Sequence, residues 1–204
     1  MDVRGSNKRL VFLQWLAGAW LALAVSGSVV LARYSYTPTP SGEPARRWPR
    51  SSTIHLREGH FTLVLLAHPR CPCTAATLEE LARLLAVVPR DRLDVHALFL
   101  LPASFPKGWE RTSLWRTAKS IPGVTVWLDP DGREARLFLA KVSGQVLLYD
   151  SSGELRYAGG ITAGRGHAGD NPGLEAVRGL LKHPSTPGAG EGFSRAPVFG
   201  CSLR

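Results

Sequence analysis

The sequence lacks the patterns that define several large functional classes. It shows no internal repeat of about 20–50 residues, which excludes a solenoid. It contains neither G-x-x-x-x-G-K-[ST] nor GxGxxG between a strand and a helix, so the usual phosphate-binding loops are excluded. No carboxylate pair stands in a context typical of acid–base catalysis. Asp129, Asp131 and Asp150 lie in predicted turns, where aspartate is common for local hydrogen-bonding reasons.

Cysteine is scarce as well. The 204 residues contain three, Cys71, Cys73 and Cys201. The first two lie in HPRCPCTAATLEELARLL, residues 68–85, between an apolar run and a helical pattern. The pair is therefore interpreted as a redox pair, as a metal clip or as two small residues packed in a turn. The odd count leaves Cys201 either as a resolving partner delivered by the chain's tail or as an unpaired thiol.

Acidic residues are too few to balance the basic ones. The chain has 25 Lys and Arg against 16 Asp and Glu, a formal net charge of +9. Such a surplus is typical of nucleic-acid-binding proteins, but here many basic residues flank one apolar segment, where contact with anionic lipid headgroups is more common. We therefore expect a membrane partner and no nucleic acid. The flanking residues are Arg4, Lys8, Arg9, Arg33, Arg46, Arg47, Arg50 and Arg57.

The apolar segment covers residues 10–32 and contains no charge. As a helix it would span roughly 34 Å, enough to cross a bilayer core with some tilt. A cleaved signal peptide would have an apolar core of only about 7–15 residues and a clearer cleavage site. The sequence thus predicts a cytoplasmic tail at 1–9 and a membrane anchor at 10–33. The basic residues after the anchor nearly balance those before it, so the orientation must be inferred from the cysteine chemistry of the domain.

The rest of the chain predicts one α/β domain between two irregular segments. Residues 34–53 are rich in proline and predict an extended linker, and residues 185–204 predict a Gly/Pro-rich tail that ends near Cys201. Between them, 54–184, strand and helix patterns alternate as β-α-β-α-β-α-β-β-α, which indicates parallel pairing with an antiparallel hairpin at the end. Predicted strands cover 61–67, 93–101, 124–132 and the hairpin 144–160; predicted helices run from the cysteines to Pro89 and over 109–120, 133–140 and 171–183.

Three stretches together resemble one family. HPRCPCTAATLEEL, SGQVLLYDSSGELRYAGGITAGRGHAGDNPG and the terminal PVFGC are similar to RedB-type membrane-anchored thioredoxin-like proteins, over about residues 60–201. The resemblance implies a thioredoxin-like mixed sheet flanked by helices, preceded by one transmembrane helix. It also implies a tethered thiol–disulfide oxidoreductase on the extracytoplasmic (periplasmic) side, acting on thiols or disulfides of exported proteins.

The chain departs from the thioredoxin pattern at two places. Thioredoxins carry C-x-x-C, whereas this chain has C-x-C, with Arg70 at the place of the usual nucleophile. The cis-proline that normally faces the cysteines is replaced by Gly144, preceded by Ser143. Simple carry-over of dithiol exchange is therefore not justified by the resemblance alone.

The residues around the pair nevertheless favour sulfur chemistry. Cysteines at a helix N-terminus lie near its positive dipole end and its unpaired N–H groups, and Arg70 and His68 would add positive charge, so the thiolate is favoured. A disulfide within C-x-C closes a small, strained ring that should be easily reduced, which suits an oxidant or isomerase. We predict Cys71 and Cys73 as the catalytic pair, with either as the attacking residue.

A glycine-rich loop at 161–173 is the second candidate region. Its bland interpretation is a turn in which Asp170 or Asn171 caps the last helix. Its functional interpretation places Arg165 and His167 near the cysteines. No cofactor is expected for exchange chemistry. The alternative function is a copper chaperone in which Cys71, Cys73 and His167 or His68 hold Cu(I), although the C-x-x-x-C spacing of such carriers is absent. Peroxidase chemistry is disfavoured because the threonine three places before the reactive cysteine is missing.

Overall fold

The computed structural model describes residues 3–106, 108–183 and 192–203 and divides into two units, of which the first ends at Thr37 and the second begins at Pro38. The first unit is one helix, α1, Val3–Tyr36. Its part Val11–Tyr36 is long and apolar enough to cross a membrane. The helix is longer than the predicted anchor at 10–33, because it continues into both flanking segments. Of the predicted tail at 1–9, residues 1 and 2 lie outside the described residues.

The second unit is built on a six-stranded mixed sheet in the order β3-β2-β1-β4-β5-β6. The strands are β1 Phe61–Ala67, β2 Leu93–Leu101, β3 Val124–Pro130, β4 Gln145–Tyr149, β5 Leu155–Gly160 and β6 Ser194–Arg195. The helices are α2 Pro72–Val87, α3 Ser113–Ser120, α4 Arg133–Leu137 and α5 Pro172–Lys182. The predicted alternation of strands and helices is confirmed, and β6 is an additional strand within the predicted tail.

The pairing of the strands places the end of β1 and the start of β4 side by side at one end of the sheet. β1, β2 and β3 are parallel, whereas β4 runs antiparallel to β1, with Leu65 opposite Val146. The carboxyl end of β1 therefore lies beside the start of β4. The N–H of Gly144 donates to the carbonyl of Leu66 at 2.7 Å, and the N–H of His68 donates to Oγ of Ser143 at 3.0 Å.

The central strand β1 is buried on both faces, as its continuous apolar run predicts. Leu63 and Leu65 belong to a hydrophobic cluster with Leu78, Leu81 and other residues of α2. Val64 and Leu66 belong to a second cluster on the opposite face, which includes Phe138 and Tyr149. Because β1 is held from both sides, the turn that follows it carries the cysteines on a rigid base.

The segment predicted as a linker differs from the expectation. Residues 38–53 are extended but lie in the same unit as the domain. The N–H of Ala45 donates to the carbonyl of Phe138 at 3.1 Å, and its carbonyl accepts from the Tyr149 hydroxyl at 2.7 Å. Trp48 packs edge-on against the rings of Phe138 and Tyr149. Proline prevents a helix here, but the tryptophan gives the segment an apolar surface that the domain covers.

One further boundary differs from the sequence-based expectation. Helix α3 begins at Ser113 rather than near 109, because Thr112 caps it: Oγ1 of Thr112 accepts the N–H of Trp115 at 3.4 Å. Of the predicted tail at 185–204, residues 185–191 and 204 lie outside the described residues, as does residue 184 before it. From residue 196 the chain continues past β6 and crosses the end of the sheet. We call residues 196–203 the C-terminal strap.

Candidate functional site: three sulfur atoms at the start of α2

Cys71 and Cys73 lie at the opening of α2, where the sequence predicts them. Cys71 is the residue that precedes the first helical turn, and Pro72 occupies the first helical position, where its missing N–H is harmless. The two cysteines are only 2% and 3% exposed, although neither belongs to the two hydrophobic clusters. They lie beneath the surface rather than at it, which the sequence alone does not predict.

The third cysteine joins them. Sγ of Cys201 lies 3.2 Å from Sγ of Cys71, in hydrogen-bonding contact. The sulfur atoms of all three cysteines lie within 4.8 Å of one another, and all three are free thiols. Unlike the other two, Cys201 is exposed. The three-sulfur cluster, Cys71, Cys73 and Cys201, thus has two buried members and one that faces solvent.

Backbone contacts hold the strap, and with it Cys201, over the start of α2. The strap runs antiparallel to residues 141–143 where Ser202 faces Val142. The N–H of Ser143 donates to the carbonyl of Cys201 at 2.8 Å, and the N–H of Leu203 donates to the carbonyl of Lys141 at 3.0 Å. Gly200 allows this approach, because a Cβ there would lie 1.8 Å from the carbonyl oxygen of Ser143.

Arg165 fastens the strap from the other side. Its guanidinium donates to the carbonyl of Gly200 at 2.6 Å and to Oγ1 of Thr39 at 2.7 Å. The Thr39 hydroxyl donates to the same carbonyl at 2.7 Å, and the Thr39 N–H donates to the carbonyl of Val198 at 2.8 Å. Arg165 therefore acts on the site through the segment that carries Cys201, and Thr39 comes from the segment predicted as a linker.

Hydrogen bonding determines which of the three sulfurs carries the negative charge. The Cys73 thiol donates to Sγ of Cys71, which is the main reason that the pKa of Cys71 falls to about 4. The Cys201 thiol and the backbone N–H groups of Cys73 and Cys201 lower it further, against the effect of burial. The pKa of Cys73 is raised, first because its proton is held by Cys71 and then by burial. Burial, followed by the bond to Cys71, raises the pKa of Cys201. Cys71 is therefore the thiolate of the cluster.

His68 and Arg70 are both beside the pair but differ from their expected roles. Nδ1 of His68 accepts the backbone N–H of Arg70 at 3.2 Å, so this nitrogen carries no proton. Burial is the main cause that lowers the pKa of His68, so the ring is neutral rather than a source of positive charge. The guanidinium of Arg70 lies 5.4 Å from the centre of the Trp109 ring, and Trp109 also meets the His68 ring edge-on. The two residues thus build one wall of the site with Trp109.

Ser143 and Gly144 occupy the place expected for a cis-proline. In the part of the chain that the structure describes, no peptide bond is cis. Oγ of Ser143 accepts from the His68 N–H and contacts Oγ1 of Thr74 at 2.8 Å, so it ties the turn after β1 to α2. Gly144 has φ +84°, and a Cβ there would lie 3.0 Å from Oγ1 of Thr77. Sequence reasoning marked both as a departure and missed that Ser143 also binds the strap.

The glycine-rich loop at 161–173 mainly caps helix α5 and contacts helix α2. Oδ1 of Asn171 accepts the Leu174 N–H at 2.8 Å, which is the predicted helix cap. The buried carboxylate of Glu80 accepts the Gly169 N–H at 2.6 Å and pins the loop to α2. The backbone N–H of Gly166 donates to the Cys73 sulfur. His167 is exposed and lies outside the three-sulfur cluster, so the cluster's third ligand-type residue is Cys201 and not His167.

Comparison with known proteins bears on the fold alone. No family model matches the chain, and no curated protein matches it. Among solved structures, the chain is similar to the hypothetical protein SMc02350 from Sinorhizobium meliloti 1021, with 19% identity, 83% of this chain and 94% of that chain covered, and a TM-score of 0.59. The chain is also similar to an uncharacterized conserved protein from Geobacillus kaustophilus. The two share 16% identity, the match covers 83% of this chain and 92% of that chain, and the TM-score is 0.59.

The strand order decides the fold. A parallel pair β2-β1 continues into the antiparallel hairpin β4-β5, with α2 after β1 and α5 after the hairpin. The domain is thioredoxin-like. A weaker likeness, to a putative thioredoxin from Neisseria meningitidis, has 15% identity, covers 73% of this chain and 93% of that chain, and gives a TM-score of 0.48.

The arrangement can support two kinds of chemistry. One thiolate with two thiols in contact can exchange disulfides, because the thiolate is the attacking and the leaving form of sulfur. Three converging sulfurs are also a donor set for a soft metal ion such as Cu(I). Both rest on the same three side chains.

Proposed function

We propose that this protein is a membrane-tethered thiol–disulfide oxidoreductase that acts on thiols or disulfides of exported proteins. The observation that carries the proposal is the contact of the Cys71 sulfur with Cys201 at 3.2 Å, within a cluster of three free thiols. Cys71 is the nucleophile, because the donors around it stabilise the thiolate. The thioredoxin-like fold and the resemblance to RedB-type proteins in the three stretches quoted above support the same role.

The domain lies on the extracytoplasmic side in this proposal. Arg4, Lys8 and Arg9 precede the apolar helix and favour a cytoplasmic N-terminus. A disulfide formed in the cluster would persist outside the reducing cytosol. Membrane-impermeant maleimide, added to intact cells after treatment with a membrane-impermeant reductant, should label Cys201, the exposed cysteine. Labelling that requires lysis would place the domain inside the cell.

A redox titration of the full chain in detergent micelles tests the activity. The protein is equilibrated with defined ratios of reduced and oxidised glutathione, and each cysteine is quantified by alkylation. We expect one two-electron transition in which Cys71 loses its free thiol, and transfer of the disulfide to an unfolded dithiol protein. Cys71→Ser should abolish both. The proposal is wrong if Cys71 stays reduced at oxidising ratios or if Cys71→Ser leaves the transfer intact.

The compact donor set favours a copper carrier as the second candidate. Cys71, Cys73 and Cys201 offer three sulfur donors within 4.8 Å. Thiolate is the ligand type that selects Cu(I), so binding would release the protons of Cys73 and Cys201. A competition with a chromogenic Cu(I) chelator separates the candidates. Stoichiometric Cu(I) retention that is lost in Cys73→Ser, without disulfide transfer by the wild-type chain, would support the carrier and contradict the oxidoreductase.

A further inference from the structure

The most informative asymmetry in the molecule is the exposure of the three sulfurs. Cys71 and Cys73 are 2% and 3% exposed, whereas Cys201 is exposed. The residues in contact with the two buried sulfurs include Cys201 and Gly166, both of which lie at the surface. A protein partner, which is far larger than a water molecule, therefore meets Cys201 first.

We propose that Cys201 is the sulfur through which partners exchange, and that the site works as an oxidant from a Cys71–Cys201 disulfide. This inference rests on the proposed function. A partner thiolate attacks Sγ of Cys201, the bond between Cys71 and Cys201 breaks, and Cys71 leaves as a thiolate. The partner is then joined to Cys201 by a mixed disulfide.

The second half of the exchange balances the reaction. A second thiolate of the partner attacks the partner's own sulfur in the mixed disulfide and releases Cys201, which takes up a proton. The partner's two thiols have become one disulfide, and the Cys71–Cys201 disulfide has been reduced. Exchange with another disulfide compound, of low molecular weight or protein, restores the oxidised form.

The surroundings of Cys71 set this direction. A leaving thiolate departs faster when its surroundings stabilise its charge. The backbone N–H groups of Cys73 and Cys201 and the thiol of Cys73 all donate to Sγ of Cys71. Two of these donors belong to the first turn of α2 and stay in place when the bond to Cys201 breaks. The reduced state is thereby stabilised, which makes the disulfide a strong oxidant.

The strap is held in place by hydrogen bonds on both sides of Cys201. The backbone bonds from Ser143 to Cys201 and from Leu203 to Lys141 hold both sides of the reacting residue. Arg165 and Thr39 hold the carbonyl of Gly200, immediately before it. A cavity of about 380 Å³, lined in part by His68, Phe105 and Trp109, adjoins Ser202 and Leu203. A partner segment thus has open space beside Ser202, the residue that follows Cys201, while the strap stays docked.

The chain offers a direct test, because trypsin separates the two reacting cysteines. Cleavage after Arg70, Arg83 and Arg195 yields peptides 71–83 and 196–204. The full-length Cys73→Ser variant, in detergent, is oxidised, exposed briefly to reduced glutathione, blocked with maleimide and digested. We expect the glutathione adduct on peptide 196–204 and maleimide on peptide 71–83. An adduct on peptide 71–83 at the earliest times would overturn the inference.

The direction is tested with the wild-type chain and Cys201→Ser. The oxidised wild type should oxidise a dithiol peptide at least about tenfold faster than the reduced protein reduces the matching disulfide peptide. Cys201→Ser, which keeps Cys71 and Cys73, should lose at least about tenfold in the oxidation rate. Equal rates in both directions, or an unaffected Cys201→Ser, contradict the inference but leave the proposed function standing. Failure of Cys71 to form any disulfide in the glutathione titration contradicts both.

Discussion

Gly200→Ala should open the site while leaving every cysteine in the chain. A Cβ at residue 200 would lie 1.8 Å from the Ser143 carbonyl oxygen and 2.7 Å from Cγ1 of Val142. Both obstacles belong to the segment that leads into β4, whose backbone is held by the sheet. The strap, and not β4, must therefore move. Its displacement separates Cys201 from Cys71 and uncovers the start of α2.

The magnitude follows from the contacts that the displaced strap loses. These are the Ser143 N–H to the Cys201 carbonyl at 2.8 Å, and the Arg165 and Thr39 bonds to the Gly200 carbonyl at 2.6 and 2.7 Å. At about 1 kcal/mol for each neutral bond and somewhat more for the charged one, the docked strap loses about 3–4 kcal/mol. That corresponds to an increase of about 10² to 10³ in the ratio of undocked to docked strap.

The assay is the rate at which iodoacetamide alkylates Cys71 in the reduced full chain, read at Cys71 from the fragment ions of peptide 71–83, which also contains Cys73. Gly200→Ala should raise this rate by about 10² or more, up to the limit set by an open thiolate. Gly179→Ala is the matched control, because a Cβ at that position in α5 has nothing within 4 Å. A rate for Gly200→Ala within about twofold of Gly179→Ala, in proteins of equal unfolding midpoint, would refute the view that the strap covers the cysteines.

Three further predictions concern charge and packing. Because the pKa of Cys71 is lowered to about 4, its thiolate ultraviolet absorbance, taken as wild type minus Cys71→Ser, should stay constant between about pH 6 and pH 8. The unfolded chain keeps this proton, so the stability of the reduced wild type relative to Cys71→Ser should rise with pH over that range; a falling difference in denaturant titrations would contradict the assignment. Trp48→Ala should destabilise the domain by about 2–4 kcal/mol, because the indole packs on the second cluster. Arg47→Ala, which removes an exposed ion pair, should change the free energy of unfolding by less than about 1 kcal/mol. Equal effects of the two variants in chemical denaturation would count against the packing of residues 38–53. Glu80→Ala removes the acceptor of the Gly169 N–H, so it should lower stability by about 1–3 kcal/mol and speed proteolysis of the loop at 161–171. Glu79→Ala, at the exposed neighbouring position, should do neither. A loop that stays protected from proteolysis in Glu80→Ala would show that the Gly169 contact is dispensable.

Much of the fold can be predicted because its signals are local. The continuous apolar run of β1, the Leu spacing in α2 and the D-S-S-G turn between β4 and β5 each depend on neighbouring residues. Their boundaries follow the expectation within a few residues. α3 is the exception, because its start is decided by the Thr112 cap and not by the apolar pattern.

Local pattern also determined where the reactive cysteines lie, since a strand that ends just before a helix start leaves room only for the turn that holds Cys71. Tertiary structure decided what surrounds that sulfur. Cys201 is 130 residues away in the sequence and reaches 3.2 Å from Cys71. Nothing in PVFGC specifies that the strap pairs with residues 141–143, or that Thr39, Arg165 and Ser143 hold it. Hydrogen bonds between distant backbone segments leave no periodicity in the sequence. The sequence therefore determined the scaffold and two of the three sulfurs, and the packing of distant segments decided that the third completes the site and alone faces solvent.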